Sequence, residues 1–248
     1  MMSLTADQKS FFKENGYLVL SDTLTDAQVD AGVDAIWPHL DADRDDPSTW
    51  VGAGPVSPKC GDDPAILATL FDSPVYEAAE SLAGKGKLTR PSSFGPKLNF
   101  PTGETEWAPP GGGHLDGYYT PTNGVPEGTV GRFFVGVTMY LSHQVPTGGG
   151  FTIWPGTHLQ SARYFRTHAM LSVKGGNVRN VYDLPEPVEI TGPPGTACLW
   201  HGELVHSVSK NCRPDIRLCM ITRLNHIDRS DILFEWPDDP WTYWDGID

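Results

Sequence analysis

From about residue 88 onward the chain has no long apolar stretch, only short ones cut off by glycine or proline. This punctuation restricts the fold more than any other feature, because segments so short match strands and not helices of ordinary length. Candidate strands are Ser93–Phe100, Val130–Ser142, Gly150–Trp154, Val188–Thr191, Thr196–His201, Leu204–Val208 and Ile216–Asn225. Turn signals such as Pro146-Thr-Gly-Gly-Gly and Gly192-Pro-Pro-Gly lie between them. In the second candidate, Val135, Val137, Met139 and Leu141 alternate with Gly136, Thr138 and Tyr140, which predicts a half-buried strand. This part of the chain therefore predicts a mainly β sandwich or barrel.

The first 87 residues read differently. Thr5-Ala-Asp-Gln8 and Thr25-Asp-Ala-Gln28 both fit a capping box, in which the threonine hydroxyl and the glutamine side chain satisfy each other's orphan amides. The first helix is predicted to stop at Asn15-Gly16, where glycine accepts the left-handed cap, and Tyr17–Leu20 to form a short buried strand. The second helix carries Val29, Val33, Ile36, Trp37 and Leu40 on one face. Pro64–Leu82 reads as helix broken near Ser73-Pro74. With neither repeat nor linker, one domain over 1–248 is expected: a mostly helical flank to about 87, then a β core with an aromatic tail. That tail, Phe234–Trp244, holds three tryptophans and two prolines and reads as a lid packed on the core, or alternatively as a wall of a substrate pocket.

Charge narrows the function. Eighteen Lys and Arg against 31 Asp and Glu give −13, which disfavours nucleic acid and anionic membranes as partners and leaves a small-molecule substrate as the expectation. Cys60, Cys198, Cys212 and Cys219 are sparse and form no C-x-x-C, so reduced thiols are expected. The longest apolar run, Ala65–Phe71, is too short to span a bilayer, and the first residues lack a basic and an apolar leader segment. A cytoplasmic protein is the expectation.

The chemistry concentrates in Gly111–Tyr119, Gly-Gly-Gly-His-Leu-Asp-Gly-Tyr-Tyr. In extended backbone His114 and Asp116 share a face, and they would supply most of a two-histidine, one-carboxylate site of the kind that suits Fe(II). Alone, the triplet equally describes a surface hydrogen-bonded pair. A further histidine comes down to His201 or His206, and His-Gly-Glu-Leu-Val-His is not the zinc-protease helix motif. His206 is favoured because Arg217, eleven residues on, sits in the apolar run Ile216-Arg-Leu-Cys-Met-Ile-Thr. An arginine there needs an anion, either a dicarboxylate cosubstrate or a structural partner such as Asp215 or Glu203.

Taken together, His114-x-Asp116, Gly149-Gly-Phe-Thr-Ile-Trp-Pro-Gly-Thr-His158, and His206 with Arg217 resemble the phytanoyl-CoA dioxygenase family. The N-terminal Phe11-Phe-Lys-Glu-Asn-Gly-Tyr-Leu-Val-Leu20 is similar to that family's opening. The resemblance implies a double-stranded β-helix (jelly-roll) core with N-terminal and flanking helices. It implies Fe(II) on His114, Asp116 and His206, with 2-oxoglutarate anchored by Arg217 and contacted by Lys97, and O₂ as oxidant. The expected reaction is hydroxylation of an unactivated C–H bond, with desaturation, epoxidation or cyclisation, or a non-catalytic binding role, as alternatives. Halogenation is not expected, since Asp116 fills the position that chloride would need. Tyr118, Tyr119, Trp200 and the tail tryptophans are candidate pocket walls.

Overall fold

Both N-terminal capping boxes close as the sequence predicts. Gln8 N–H donates to Thr5 Oγ1 at 3.2 Å while Thr5 N–H donates to Gln8 Oε1 at 2.9 Å, and Thr25 with Gln28 repeats the arrangement. The computed structural model describes residues 3–247 except 120, 122–124, 128–130, 132, 170–171 and 174–175. Helix α1 (Ala6–Asn15) ends on Gly16 at φ 78°, and strand β1 (Tyr17–Leu20) follows at once. Helix α2 (Asp26–Ile36) packs on α3 (Pro64–Phe71), and Ser73-Pro74 separates α3 from α4 (Val75–Ala83).

Beyond the helices the strands are β2 (Gly95–Asn99), β3 (Val135–Tyr140), β4 (Phe151–Ile153), β5 (Val188–Glu189), β6 (Ala197–His201), β7 (His206–Val208) and β8 (Arg217–Leu224). Each falls within a stretch predicted as strand; Val130, the first residue of one such stretch, lies outside the described residues. Two helices were not anticipated: α5 (Thr157–Phe165), which starts behind the Pro155-Gly156 turn, and the single turn α6 (Arg229–Ile232). The strands form two antiparallel sheets, β1-β6-β3-β8-β2 and β5-β4-β7. They build the expected jelly roll.

One apolar cluster joins the helices and the tail to the outer face of the large sheet through Phe12, Ile36, Val137, Leu199 and Met220. A second lies between the sheets and includes Tyr140, Phe151, Ile153, Trp200 and Cys219. Strand β3 is thus buried on both faces, not half-buried as its alternation suggested. Its small and polar positions face the inner layer: Gly136 lies under Trp200, where a Cβ would meet the indole at 2.1 Å, and the Thr138 hydroxyl accepts from Trp200 Nε1 at 3.2 Å. An alternation of large with small side chains here marks a close approach and not a wet face. Strand β8 divides the same way, with Leu218, Met220 and Leu224 in the outer cluster and Cys219 and Ile221 against the inner one. No described helix is long and apolar enough to cross a membrane, and all four cysteines are free thiols.

Candidate active site

His114 and His206 face each other directly as an antiparallel bridge. His114 N–H donates to His206 O at 2.9 Å and His206 N–H donates to His114 O at 3.1 Å. Such a close pair leaves no room before it: a Cβ on Gly113 would lie 2.8 Å from His206 O and 2.6 Å from the Trp154 ring. Asp116, two residues on, returns to the same face, while Leu115 points into a separate buried cluster. His114 Nε2 lies 3.5 Å from Asp116 Oδ1 and His206 Nε2 lies 3.4 Å from Asp116 Oδ2. One ligand atom from each residue falls within 4.8 Å of the others, a grouping able to hold a metal ion.

The electrostatics suit that role. Burial lowers the pKa of His206, which keeps the ring neutral, and its Nδ1 lies 3.0 Å from Leu204 O. A proton on Nδ1 satisfies that carbonyl and leaves the Nε2 lone pair facing Asp116. Burial by itself would raise the Asp116 carboxyl, but His206, hydrogen bonds from both histidines and Arg223 outweigh it, so the group sits well below the usual carboxylate range. With His206 neutral, the permanent positive charge on Asp116 is the Arg223 guanidinium. A neutral His206 imidazole and an ionised Asp116 carboxylate are protonation states that metal binding requires.

The three residues open into a cavity of about 460 Å³ walled by Leu98, Phe151, Trp200 and Ile221. Arg217 enters it from β8. Its side chain is buried, Nη2 donates to Lys97 O at 3.4 Å, and Nε and Nη1 have no hydrogen-bond partner. Neither Asp215 nor Glu203 pairs with it, so the structural alternative finds no support among the described residues. Lys97 reaches the same cavity from β2, but it is exposed and its Nζ donates to Ser57 Oγ at 3.0 Å. Trp200 is a wall as expected. Tyr118 instead packs on Phe165, neither Tyr118 nor Tyr119 lines the cavity, and the tail tryptophans lie elsewhere.

His201 is one residue from Trp200 and so projects from the other face of β6. It stacks on Trp244 at 4.8 Å, with Nδ1 accepting from Glu203 N–H at 3.1 Å. Strand parity therefore separates it from Asp116, while the bridge to His114 brings His206 in. The residue that sequence reasoning missed is Arg223. Its Nε and Nη2 donate to Asp116 Oδ2 at 2.7 and 2.5 Å. The signal was present: Arg217 and Arg223 lie six apart in one strand, an even offset that puts both on one face. Asn99 was also missed; its Nδ2 donates to Ser209 O at 2.9 Å and to Gly149 O at 3.4 Å, tying β2 to the opposite rim.

The sequence pattern of phytanoyl-CoA dioxygenase (PhyH) matches residues 12–219, and the chain belongs to that family of Fe(II)- and 2-oxoglutarate-dependent oxygenases. No curated protein matches it. Among solved structures it is similar to SnoK, a non-haem alpha-ketoglutarate-dependent carbocyclase from nogalamycin biosynthesis, at 18% identity and TM-score 0.63, covering 97% of this chain and 96% of that one. EctD from S. alaskensis with 2-oxoglutarate and 5-hydroxyectoine gives 19% and 0.54 over 91% of this chain and 77% of that one. HygX from Streptomyces hygroscopicus with nickel, 2-oxoglutarate and hygromycin B gives 15% and 0.55 over 90% and 87%. At these identities the likeness concerns the fold.

Proposed function

We propose that His114, Asp116 and His206 hold Fe(II), that Arg217 grips the far carboxylate of 2-oxoglutarate, and that the enzyme hydroxylates a C–H bond of a small-molecule metabolite. The observation that carries this reading is Arg217: a buried guanidinium with two unpaired nitrogens, in the cavity that the three metal-type ligands also line. An unpaired buried charge is costly, so the site is built for an anion that the protein itself does not supply. A dicarboxylate reaching from a metal to Arg217 fits that requirement, and the planar fork suits two parallel hydrogen bonds. Solved structures of this fold have been obtained with 2-oxoglutarate, and two such proteins with small-molecule ligands as well, which agrees with the reading.

Iron and 2-oxoglutarate, when bound, supply an oxidant able to take hydrogen from an unactivated C–H bond, with succinate and CO₂ as co-products. The chain's own work is positional. The Leu204 carbonyl orients His206, the backbone bridge fixes His114 beside it, and Asp116 stays ionised. Phe151, Trp200 and Ile221 keep the reacting face apolar, which limits competing water. Lys97, at the rim, adds positive charge near the cosubstrate's outer end. Because Asp116 occupies its ligand position, oxygen insertion is expected and not chlorination. Screening metabolites for stimulated succinate release, followed by mass analysis of the product, tests this. A product gaining one oxygen supports hydroxylation; loss of two hydrogens without oxygen would indicate desaturation or cyclisation, and a chlorinated product would overturn the role given to Asp116.

A further inference from the structure

We infer that Arg223 is the substrate-binding end of the cavity and that the substrate carries a negatively charged oxygen group, such as a carboxylate, on an apolar frame. The inference rests on the functional reading above and specifies its substrate class. Arg217 and Arg223 come from one face of β8, their Cα atoms roughly 20 Å apart at the usual strand rise. Arg223 touches Asp116 and Arg217 does not, so the two guanidinium groups mark different ends of one cavity. Arg217 is buried and fits the cosubstrate end. Arg223 has a side chain 45% exposed, and its two contacts with Asp116 both fall on the single oxygen Oδ2. Its Nη1 has no hydrogen-bond partner among the described residues, and the Phe133 ring lies 5.8 Å from its Cζ.

Charge gives the sign of the ligand. Lys97, Lys210, Arg217 and Arg223 all line the cavity, and Asp116 is the acid among the described lining residues. This is a local inversion in a chain with a net charge of −13. Lys210 is accounted for by Glu104, 2.5 Å away. In the loaded site the charges of Fe(II) and 2-oxoglutarate cancel, and Asp116 offsets one of the three cations Arg217, Arg223 and Lys97. Two positive charges of the cavity are then left without a counter-charge, with Arg223, which already contacts Asp116, beside the metal ligands and Lys97 at the rim. An anionic substrate supplies one, and an arginine fork fixes its orientation as well as its charge. The walls it would lie against, Leu98, Phe151 and Trp200, ask for an apolar body.

The test uses the full chain loaded with Ni(II), which does not turn over, and saturating 2-oxoglutarate. Calorimetric titration compares 2-naphthoate with its neutral isostere 2-naphthamide. Wild type should bind the acid about tenfold more tightly, the order expected of one charge-assisted hydrogen bond in a half-exposed site. Arg223→Gln should bring the two probes together, and Arg223→Lys should keep part of the preference. Because Arg223 also contacts Asp116, Ni(II) affinity should fall by up to about 10–100-fold, so the probes are compared at saturating Ni(II), with 2-oxoglutarate affinity unchanged. No acid preference in wild type, through equal or absent binding, overturns the inference, as does a preference that survives Arg223→Gln. Failure of Arg223→Gln to load Ni(II) even at saturating metal also overturns it, since Arg223 would then serve Asp116 and not the substrate. Failure of the underlying reading looks different: Arg217→Ala would leave 2-oxoglutarate affinity unaltered while the acid preference persisted.

Discussion

Two pairs of histidines lie on opposite faces of strand β6 and invite comparison. His114 and His206 have ring centroids 4.5 Å apart at an interplanar angle of 54°; His158 and His201 are 5.2 Å apart at 42°. Ring geometry barely distinguishes them. Their neighbours do. The first pair meets Asp116 and opens on a cavity of about 460 Å³, whereas the second is boxed by Trp241 and Trp244 beside a void of about 40 Å³ that His201 lines. His158 Nε2 lies 3.1 Å from Lys13 O and its buried Nδ1 has no partner, so burial pushes its pKa down to about 4. The lesson is that a histidine pair is equipped to hold a metal by the carboxylate and the open space beside it. Without them it is an aromatic plate that fills the core.

The largest expected effect sets the pairs directly against each other. His206→Ala should cost more Fe(II) affinity than the roughly 10–100-fold lost when even an outer partner of a ligand is removed. His201→Ala should leave Fe(II) binding intact and instead lower stability by about 3 kcal/mol, as loss of a buried ring does. Calorimetric metal titration and thermal melts on both variants check this; the reverse pattern would mean that strand parity had been assigned to the wrong residue.

Next in size is Arg217→Ala, which should weaken 2-oxoglutarate by about 2–5 kcal/mol, or tens- to thousands-fold. Fe(II) binding should hardly change, and Arg217→Lys should recover only part of the loss. Were Arg217 structural, the melting temperature would fall while cosubstrate affinity in the folded fraction stayed as in wild type.

The aromatic pair makes a prediction of its own. His158 titrates near 6.5 when unfolded and near 4 when folded, so between those values the unfolded chain binds more protons. The stability this histidine contributes is complete above about pH 6.5 and is lost as pH falls toward 4, by on the order of 3 kcal/mol. His158→Phe should flatten that part of the stability-against-pH curve. An unchanged slope in urea melts from pH 7 to pH 4.5 would show that His158 is not desolvated as described.

A smaller effect is expected from Gly113→Ala. The added Cβ would press on the Trp154 ring and on His206 O, and overpacking of this kind costs roughly 1–3 kcal/mol. Because the strain falls on the bridge between the two ligands, Fe(II) affinity should drop along with stability. Gly86→Ala, at a glycine with open space around it but a φ of 75°, should lower stability without touching the metal, and it serves as the control.

Much of this was legible because local chemistry and tertiary structure agree. The threonine–glutamine boxes, the Asn15-Gly16 stop, the Ser73-Pro74 break and the strand positions all rest on short-range rules that the fold leaves unaltered. His114 and Asp116 could be paired from an even spacing, and Arg217 stood out as a charge in an apolar run. What stayed hidden depends on distant segments. The two-sided burial of β3 needs Trp200 to cover Gly136, and the partner of Arg223 lies 107 residues away at Asp116. Helix α5 begins behind a Pro-Gly turn and has no side-chain cap to announce it, and Lys97 meets Ser57 at the rim across 40 residues.

The order β1-β6-β3-β8-β2 also has a bearing on how the protein is made. No two neighbours in that sheet are consecutive in the chain. Strand β2 is synthesised long before β8, yet Gly95 must pair with Ile221 and Asn99 with Arg217. Until β8 has left the ribosome, β3 has an open edge, neither guanidinium is in place, and the cavity lacks a wall. Pairing between such distant segments is slow compared with local folding. On the roles proposed above, a centre that would generate a strong oxidant is withheld from the growing chain until β8, the last of these strands to emerge, brings Arg217 into the cavity.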